Sequence, residues 1–318
     1  MTAIDDIRAA LNNGLVIPYL GPGVLSLAGE NCPLPSTPEA LVGKLTAKAS
    51  VPHKIRNNLT AAAQFIENFK HRKTVSKAMT EAFDHDVPPT ALHRYLAQMA
   101  ALPLLVHAWY DDLPQRAFAG RTDWGIAQGV SQTEHFGHWV QYFRPDGTRV
   151  PVPPPQPGHE GRATPSEVPA ETAAWSTLLY QPLGSLRPAA NYLVSDTDFV
   201  EVLTEIDIQT PIPEPVQSVR RGRHFLFLGC RFALQLDRLF ARQIMKRSSD
   251  RHWAVLPQTL TKNEARFLEQ QNIVRIDSAL ADFIAALAQP PRFESVEAEL
   301  FTPVAMPRVP DQHETLGA

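Results

Sequence analysis

Three groups of residues in this 318-residue chain combine types and spacings that chemistry can use. The first is the apolar run Leu15-Val16-Ile17-Pro18-Tyr19-Leu20, which stops at Gly21-Pro22-Gly23. Residues without a Cβ let a chain turn sharply and bring its backbone against a phosphate, so this turn reads either as a nucleotide cradle or as a plain structural turn. The second is His107-Ala108-Trp109-Tyr110-Asp111-Asp112, which closes an apolar stretch at 102–106. An imidazole titrates near neutrality and can take a proton as a general base. Asp111 can assist it, contact a ligand, or bond backbone amides, and His107 can equally be a buried, satisfied histidine. The third is Glu134-His135-Phe136-Gly137-His138, with His159 downstream. The histidine spacing suits a metal, but no carboxylate pattern accompanies it, so no metal is expected and these residues read as a solvated hairpin.

Two further groups read more plainly. Arg220, Arg221 and Arg223 either hold a phosphate or solvate a loop ahead of a buried strand, the second being the expectation. The two cysteines, Cys32 and Cys230, are too few for a four-cysteine zinc site, and Cys230 reads as a small packing residue. A formal net charge of −3 lacks the basic excess that nucleic acid binding requires. No apolar run approaches the roughly 20 residues that span a bilayer, and residues 1–13 read as a polar amphipathic helix without a signal layout. A cytoplasmic protein with neither nucleic acid nor membrane partner is expected.

The elements that must position these groups follow from periodicity and punctuation. A helix over 4–11 leads through Asn13-Gly14 into the first strand. Residues 37–101 read as a helical layer, with helices near 40–45, 59–69, 75–83 and 92–99 and a Thr37-Pro38 start signal. A second strand covers 102–106. Pro145-Asp146-Gly147 predicts a β-hairpin, 138–144 against 148–152, projecting from the sheet, and a proline-rich excursion over 151–174 follows it. Ser195 is placed to cap a helix over 197–206. The segments 224–229, 233–246, 252–256, 262–271, 273–276 and 280–287 alternate strand and helix, which argues for a doubly wound parallel sheet of the α/β class. The expected organisation is a Rossmann-like domain over 1–36 and 102–289, a helical insert at 37–101, the hairpin and proline-rich excursion at 136–175, and an irregular tail at 290–318.

Four separated stretches together resemble the bacterial sirtuin-like domain family, relatives of NAD-dependent deacylases and NAD-cleaving enzymes. Gly21-Pro22-Gly23 with Gly29 and Leu34-Pro35-Ser36 is similar to the family's Gly-Ala-Gly-x-Ser…Gly…Pro-Ser opening. Residues 106–113 resemble its Thr-Thr-Asn-Tyr-Asp-Asp-Leu. Residues 179–185 with 195–199 resemble Tyr-x-Leu-His-Gly-Ser…Ser-x-x-Asp-Tyr, and 226–229 with the following helix resembles Leu-Phe-x-Gly-Tyr-Ser. The resemblance implies an NAD or ADP-ribose site at Gly21, Pro22, Gly23, Tyr110, Asp111, Gly184, Ser185 and Gly229.

It also exposes departures. Trp109 and Leu183 stand where the family's catalytic Asn and His stand, and neither leucine nor indole can accept a proton. Leu25 replaces a serine, Pro22 removes a backbone donor, and Leu234 replaces an aspartate, with Asp237 three residues later. Trp109 is read as a plug in the old nicotinamide pocket, with a stacking platform as the alternative. The implied protein is a pseudoenzyme with residual or lost NAD or ADP-ribose binding that works through contacts with a partner protein or a second copy. The alternatives are a divergent NAD hydrolase or ADP-ribose-transferring enzyme that uses His107 or Asp111, and a purely structural interaction module.

Overall fold

The first turn of the chain shows how sequence and sheet meet. Helix α1 (Ala3–Asn12) buries Ile7 and Leu11 and closes with the Gly14 N–H on the Leu11 carbonyl at 2.9 Å, which delivers the chain into β1 (Val16–Leu20). Every residue of β1 is buried, and its side chains alternate between two cores. Ile17 and Tyr19 enter one, Val16 and Leu20 the other. Pro18 lies inside this central strand without an N–H to offer. The strand pairs with its neighbour on one side along its whole length but with the other only at Tyr19 and Leu20, beyond the proline.

Helices α2 (Pro38–Thr46), α3 (Leu59–Lys70), α4 (Arg72–Phe83) and α5 (Ala91–Ala97) follow as expected. Thr37 caps α2 through the Ala40 N–H at 3.1 Å, with Pro38 in its first turn. Then come β2 (Leu104–His107), α6 (Leu113–Phe118), β3 (Trp124–Gly129), β4 (Val140–Phe143), β5 (Thr177–Gln181) and the short pair β6 (Gly184–Ser185) and β7 (Asn191–Tyr192). Helices α7 (Asp196–Glu205) and α8 (Glu214–Val219) lead to β8 (His224–Leu228), α9 (Gln235–Met245), β9 (His252–Val255), α10 (Lys262–Gln270), β10 (Ile273–Ile276) and α11 (Leu280–Ala288). The computed structural model describes residues 3–47, 49–131, 133, 139–151, 168–205 and 212–289. Met1–Ala288 form one compact unit and Gln289–Ala318 another, of which Gln289 alone is described. His135, His138, His159, most of the proline-rich excursion and the tail from 290 lie outside the described residues.

The main sheet has eight strands in the order β10-β9-β8-β1-β2-β5-β3-β4, parallel except for the β3–β4 pair. This is the mixed α/β, Rossmann-like sheet expected from the strand-helix alternation. Helices α1, α5 and α11 supply one core, and α2 to α4, α9 and α10 the other. One strand escapes the sequence reading and one expectation needs correction. Trp124–Gly129 is a buried internal strand that its glycines conceal from a propensity reading, and Gly125 is required because a Cβ there would lie 2.3 Å from the Trp175 ring. The expected hairpin does not project. Its turn forms, with the Gly147 N–H on the Arg144 carbonyl at 2.9 Å, but β4 pairs antiparallel with β3 as the edge strand of the main sheet. Among the described residues the return arm pairs back through the Arg144 N–H on the Thr148 carbonyl at 2.9 Å, the Val150 N–H on the Tyr142 carbonyl at 2.8 Å and the bridge from Phe143 to Arg149.

A buried ion pair ties the helical layer to the segment after β7. Asp198, with no exposed side-chain surface, accepts from Arg72 at 2.8 Å, Ser131 Oγ at 2.6 Å, the Val194 and Ser195 N–H groups at 2.9 Å each, and Ser195 Oγ at 3.0 Å. Arg72 also donates to the Tyr192 carbonyl. Ser195 returns the favour as the cap expected for α7, accepting the Asp198 N–H at 3.4 Å. Asp198→Ala removes the fully buried carboxylate that Arg72, Ser131 and the Val194 and Ser195 N–H groups share, leaving Arg72 with Glu67 at 3.1 Å, and should cost about 3–5 kcal/mol in denaturant unfolding.

Acid should loosen the fold in a defined window. His93 is buried, its Nδ1 lies 3.3 Å from the Thr90 N–H in a reciprocal cap of α5, and burial pushes its pKa down to about 4. A group whose folded pKa lies below its unfolded value binds more protons when unfolded, so its share of stability is full above about pH 6.5 and falls as pH drops toward 4. Between pH 7 and pH 5 this share amounts to about 2 kcal/mol. His93→Gln keeps a capping side chain without a titrating ring, and denaturation midpoints should show a correspondingly shallower loss between pH 7 and pH 5.

Candidate functional site

The carboxyl ends of β1, β2 and β8 open on a crevice at the place where the strand order reverses, the position at which open α/β sheets take ligands. The crevice has a volume of about 340 Å³. The turn after β1 brings Gly21, Pro22 and Gly23, the loop after β2 brings Ala108 and Trp109, and the loop after β8 brings Gly229 and Cys230. Leu183 and Phe199 enter from the segment after β5, Ser36 and Glu39 from the start of α2, and Asp237 and Phe240 from α9. Gly21, Pro22, Gly23, Trp109, Leu183 and Gly229, all singled out from sequence, are therefore among the residues that line one cavity.

The glycine turn is closed on itself. The Gly21 N–H bonds the Leu228 carbonyl at 2.9 Å, the Gly23 N–H bonds the Gly229 carbonyl at 2.9 Å, and the Val24 N–H returns to the Gly21 carbonyl at 3.2 Å. Pro22 has none. A Cβ on Gly21 would lie 2.7 Å from the Gly229 oxygen, and one on Gly23 2.9 Å from it, so these glycines serve the close approach of two backbone turns. Gly229 completes the contact with φ +64°, and a Cβ on it would lie 2.3 Å from the Val24 nitrogen. A phosphate cradle needs backbone donors that point outward, and this turn holds its own at 21, 23 and 24 inside. The residues present do not fit a diphosphate at this turn.

Trp109 is a fixed wall. Its Nε1–H donates to the Pro35 carbonyl at 2.8 Å, and its ring packs 5.0 Å from Tyr110 and edge-on to Phe83 at 6.0 Å. Tyr110, His107, Asp111, Gly184 and Ser185 do not line the cavity. Tyr110 donates its hydroxyl to the Leu193 carbonyl at 2.8 Å, and burial pushes its pKa up. His107 Nε2 lies 3.1 Å from the Asp111 carbonyl and 3.3 Å from its carboxylate, both side chains being buried. Burial alone would raise the Asp111 pKa, but the charge and hydrogen bond of His107, with the Leu113 N–H, hold it below the usual carboxylate range. Ser185 Oγ lies 3.2 Å from the Tyr110 carbonyl and 3.1 Å from that of Asp111, and Gly184 packs against the Asn191 backbone. These residues brace the loop that carries Trp109.

The other sequence candidates resolve into structure. Arg220 is buried, and it donates to the Gln243 and Ile244 carbonyls at 2.9 and 2.8 Å at the end of α9, which corrects the expectation of a solvated loop. Arg223 donates to the Gly14 carbonyl at 2.8 Å. Cys230 is buried as expected, its Sγ 3.7 Å from the Tyr19 carbonyl, and burial pushes its thiol pKa up. Leu25 is a core residue. Among the described residues no group of His, Cys, Asp and Glu is arranged to hold a metal ion.

Asp237, noted in the sequence only as the acid three residues after Leu234, is a functional candidate to which sequence reasoning gave no role. It lies in the first turn of α9, half-buried and facing the cavity, and burial pushes its pKa up to about 7, with the Glu39 and Glu264 charges adding to the shift against the Leu234 backbone hydrogen bond and Arg238. A carboxyl titrating near neutrality in a crevice has the character of a functional group. The available signal was its place eight residues after the glycine that ends β8, where the next helix begins.

A family model described as a SIR2-like domain matches residues 103–276, from the residue before β2 to the end of β10. The strand β1 and its glycine turn precede the match and sit between β2 and β8 in the sheet. A search of curated proteins finds no match.

Gly23→Ala should destabilise the protein by about 1–3 kcal/mol through overpacking against Gly229. Gly229→Ala should cost more, since it adds an unfavourable positive φ to a closer contact. Thermal unfolding of both variants checks the order.

Proposed function

The chain belongs to the SIR2-like domain family, and from that premise we propose a sirtuin-like protein that keeps the family fold and lacks its turnover chemistry. SIR2-like domains generally bind NAD, so NAD or ADP-ribose is the ligand that the family brings forward. One observation carries the reading: the cavity walls at the positions of the family's Asn and His are Trp109 and Leu183. Neither can take up a proton, and the indole N–H is already bonded to Pro35. The alternative of a divergent NAD hydrolase or ADP-ribose-transferring enzyme using His107 or Asp111 is less well supported, because both are buried beneath the Trp109 loop and neither lines the cavity. Residual or lost binding of NAD or ADP-ribose accords with a closed glycine turn.

On this reading the protein works in the cytoplasm through contacts with a partner protein or a second copy of itself, without a nucleic acid or membrane partner. The net charge of −3 supports the first exclusion. No helix among the described residues is long and apolar enough to cross a membrane.

Chromatography of NAD incubated with the purified full chain should show nicotinamide release at the buffer background. Trp109→Asn alone should stay at background, because Leu183 still supplies no proton acceptor. Release by the wild-type protein that vanishes on replacing His107 or Asp111 would overturn the proposal.

A further inference from the structure

The crevice is built for a charge opposite to that of a phosphate. Its glycine turn keeps the N–H groups of Gly21, Gly23 and Val24 in protein hydrogen bonds, and Pro22 has no N–H. The N-terminal turns of α9 and α2 also reach the lining, and each carries an acid; in α9 it is Asp237, whose carboxylate takes the Leu234 N–H. Glu39 adds a second acid from the first turn of α2. The cationic side chain on the lining, Arg231, is mostly exposed and lies 3.7 Å from Glu264, which is buried on α10. An anion entering here would meet two carboxylates and no free backbone donor from the glycine turn.

The rest of the lining is largely apolar and aromatic. Trp109 is locked by Pro35, Phe83 and Tyr110, and Phe199 and Phe240 pack edge-on at 5.8 Å, so the walls are held in place before any ligand arrives. Rigid rings beside carboxylates favour a flat cation, which gains ring contacts, cation–π attraction and a counter-charge together. A volume of about 340 Å³ lies at the small end of the range for ligand sites, which suits one fused ring system rather than a dinucleotide.

We propose that this crevice binds a small phosphate-free aromatic cation, its ring against Trp109 and the neighbouring phenyl rings and its ammonium or protonated nitrogen against the Asp237 carboxylate. The inference goes beyond the loss of turnover and stands on a different observation, the charge and rings of the lining, so the chain could show no NAD turnover and still fail this test. The test is calorimetric titration of the full chain at pH 8 with tryptamine and with indole-3-acetate, which carry the same ring and opposite charges, and with ADP-ribose. Tryptamine should bind at least ten-fold more tightly than the two anions. Asp237→Asn should weaken it at least ten-fold, and Asp237→Glu should retain most of the affinity. Glu39→Gln, on a different helix, should give a several-fold loss and serves as the second variant if Asp237→Asn fails to fold. Equal or tighter binding of either anion, no tryptamine binding at millimolar concentration, or tryptamine affinity unchanged in the Asn and Gln variants would overturn the proposal.

Discussion

The backbone contact between the turns after β1 and β8 is the constraint on which the crevice depends. Gly21 and Gly23 approach the Gly229 carbonyl so closely that a side chain on either would collide with it, and Gly229 presses on the Val24 nitrogen from the other side. Two parallel strands paired along all five residues of β1 are thereby continued into their loops by hydrogen bonds from Gly21 to Leu228 and from Gly23 to Gly229. The same bonds that hold the crevice floor remove the donors that a phosphate would use. Architecture and ligand compete here for the same N–H groups, and architecture has them.

The opposite wall is held by a different kind of interaction. Trp109 stands on a loop whose members are each bonded beneath the cavity: Tyr110 to Leu193, His107 to Asp111, and Ser185 to the carbonyls under both. Farther out, the Arg72–Asp198 pair joins α4 to the start of α7, which carries the cavity residue Phe199. Polar groups this deeply buried are costly unless satisfied, and the hydrogen bonds that Tyr110 and Ser185 make tie the Trp109 loop to the segment after β5. The site is thus rigid where it is apolar and titratable at Asp237, where it meets solvent through the cavity.

Much of the architecture could be read from pattern alone. The fully apolar run at 224–228 closing on glycine, the helical stripes of α2 to α5 and the strand-helix alternation after 224 each report burial against a sheet, because period and punctuation are local properties. Family resemblance added the order of the motifs and located Trp109 and Leu183 as departures from a catalytic pair. The strand β3 escaped because its two glycines weaken β propensity, and they are present only because Trp175 and the Pro182 carbonyl occupy the space a Cβ would fill. Such neighbours come from elsewhere in the chain and leave no local trace.

The chemistry of the crevice divides in the same way. Residue types settled in advance that Leu183 cannot act as a base, that Pro22 has no donor and that two cysteines cannot build a four-cysteine zinc site, since these follow from atoms each side chain has or lacks. Only the tertiary structure decided that the glycine N–H groups point inward, that His107 and Asp111 are sealed beneath the Trp109 loop, and that Arg220 staples the end of α9. It also decided that Asp237 faces the cavity with Glu39 nearby. Hydrogen-bond partners and the dielectric around a carboxylate are set by segments that meet only on folding, and for Asp237 those segments are α2, α9 and α10.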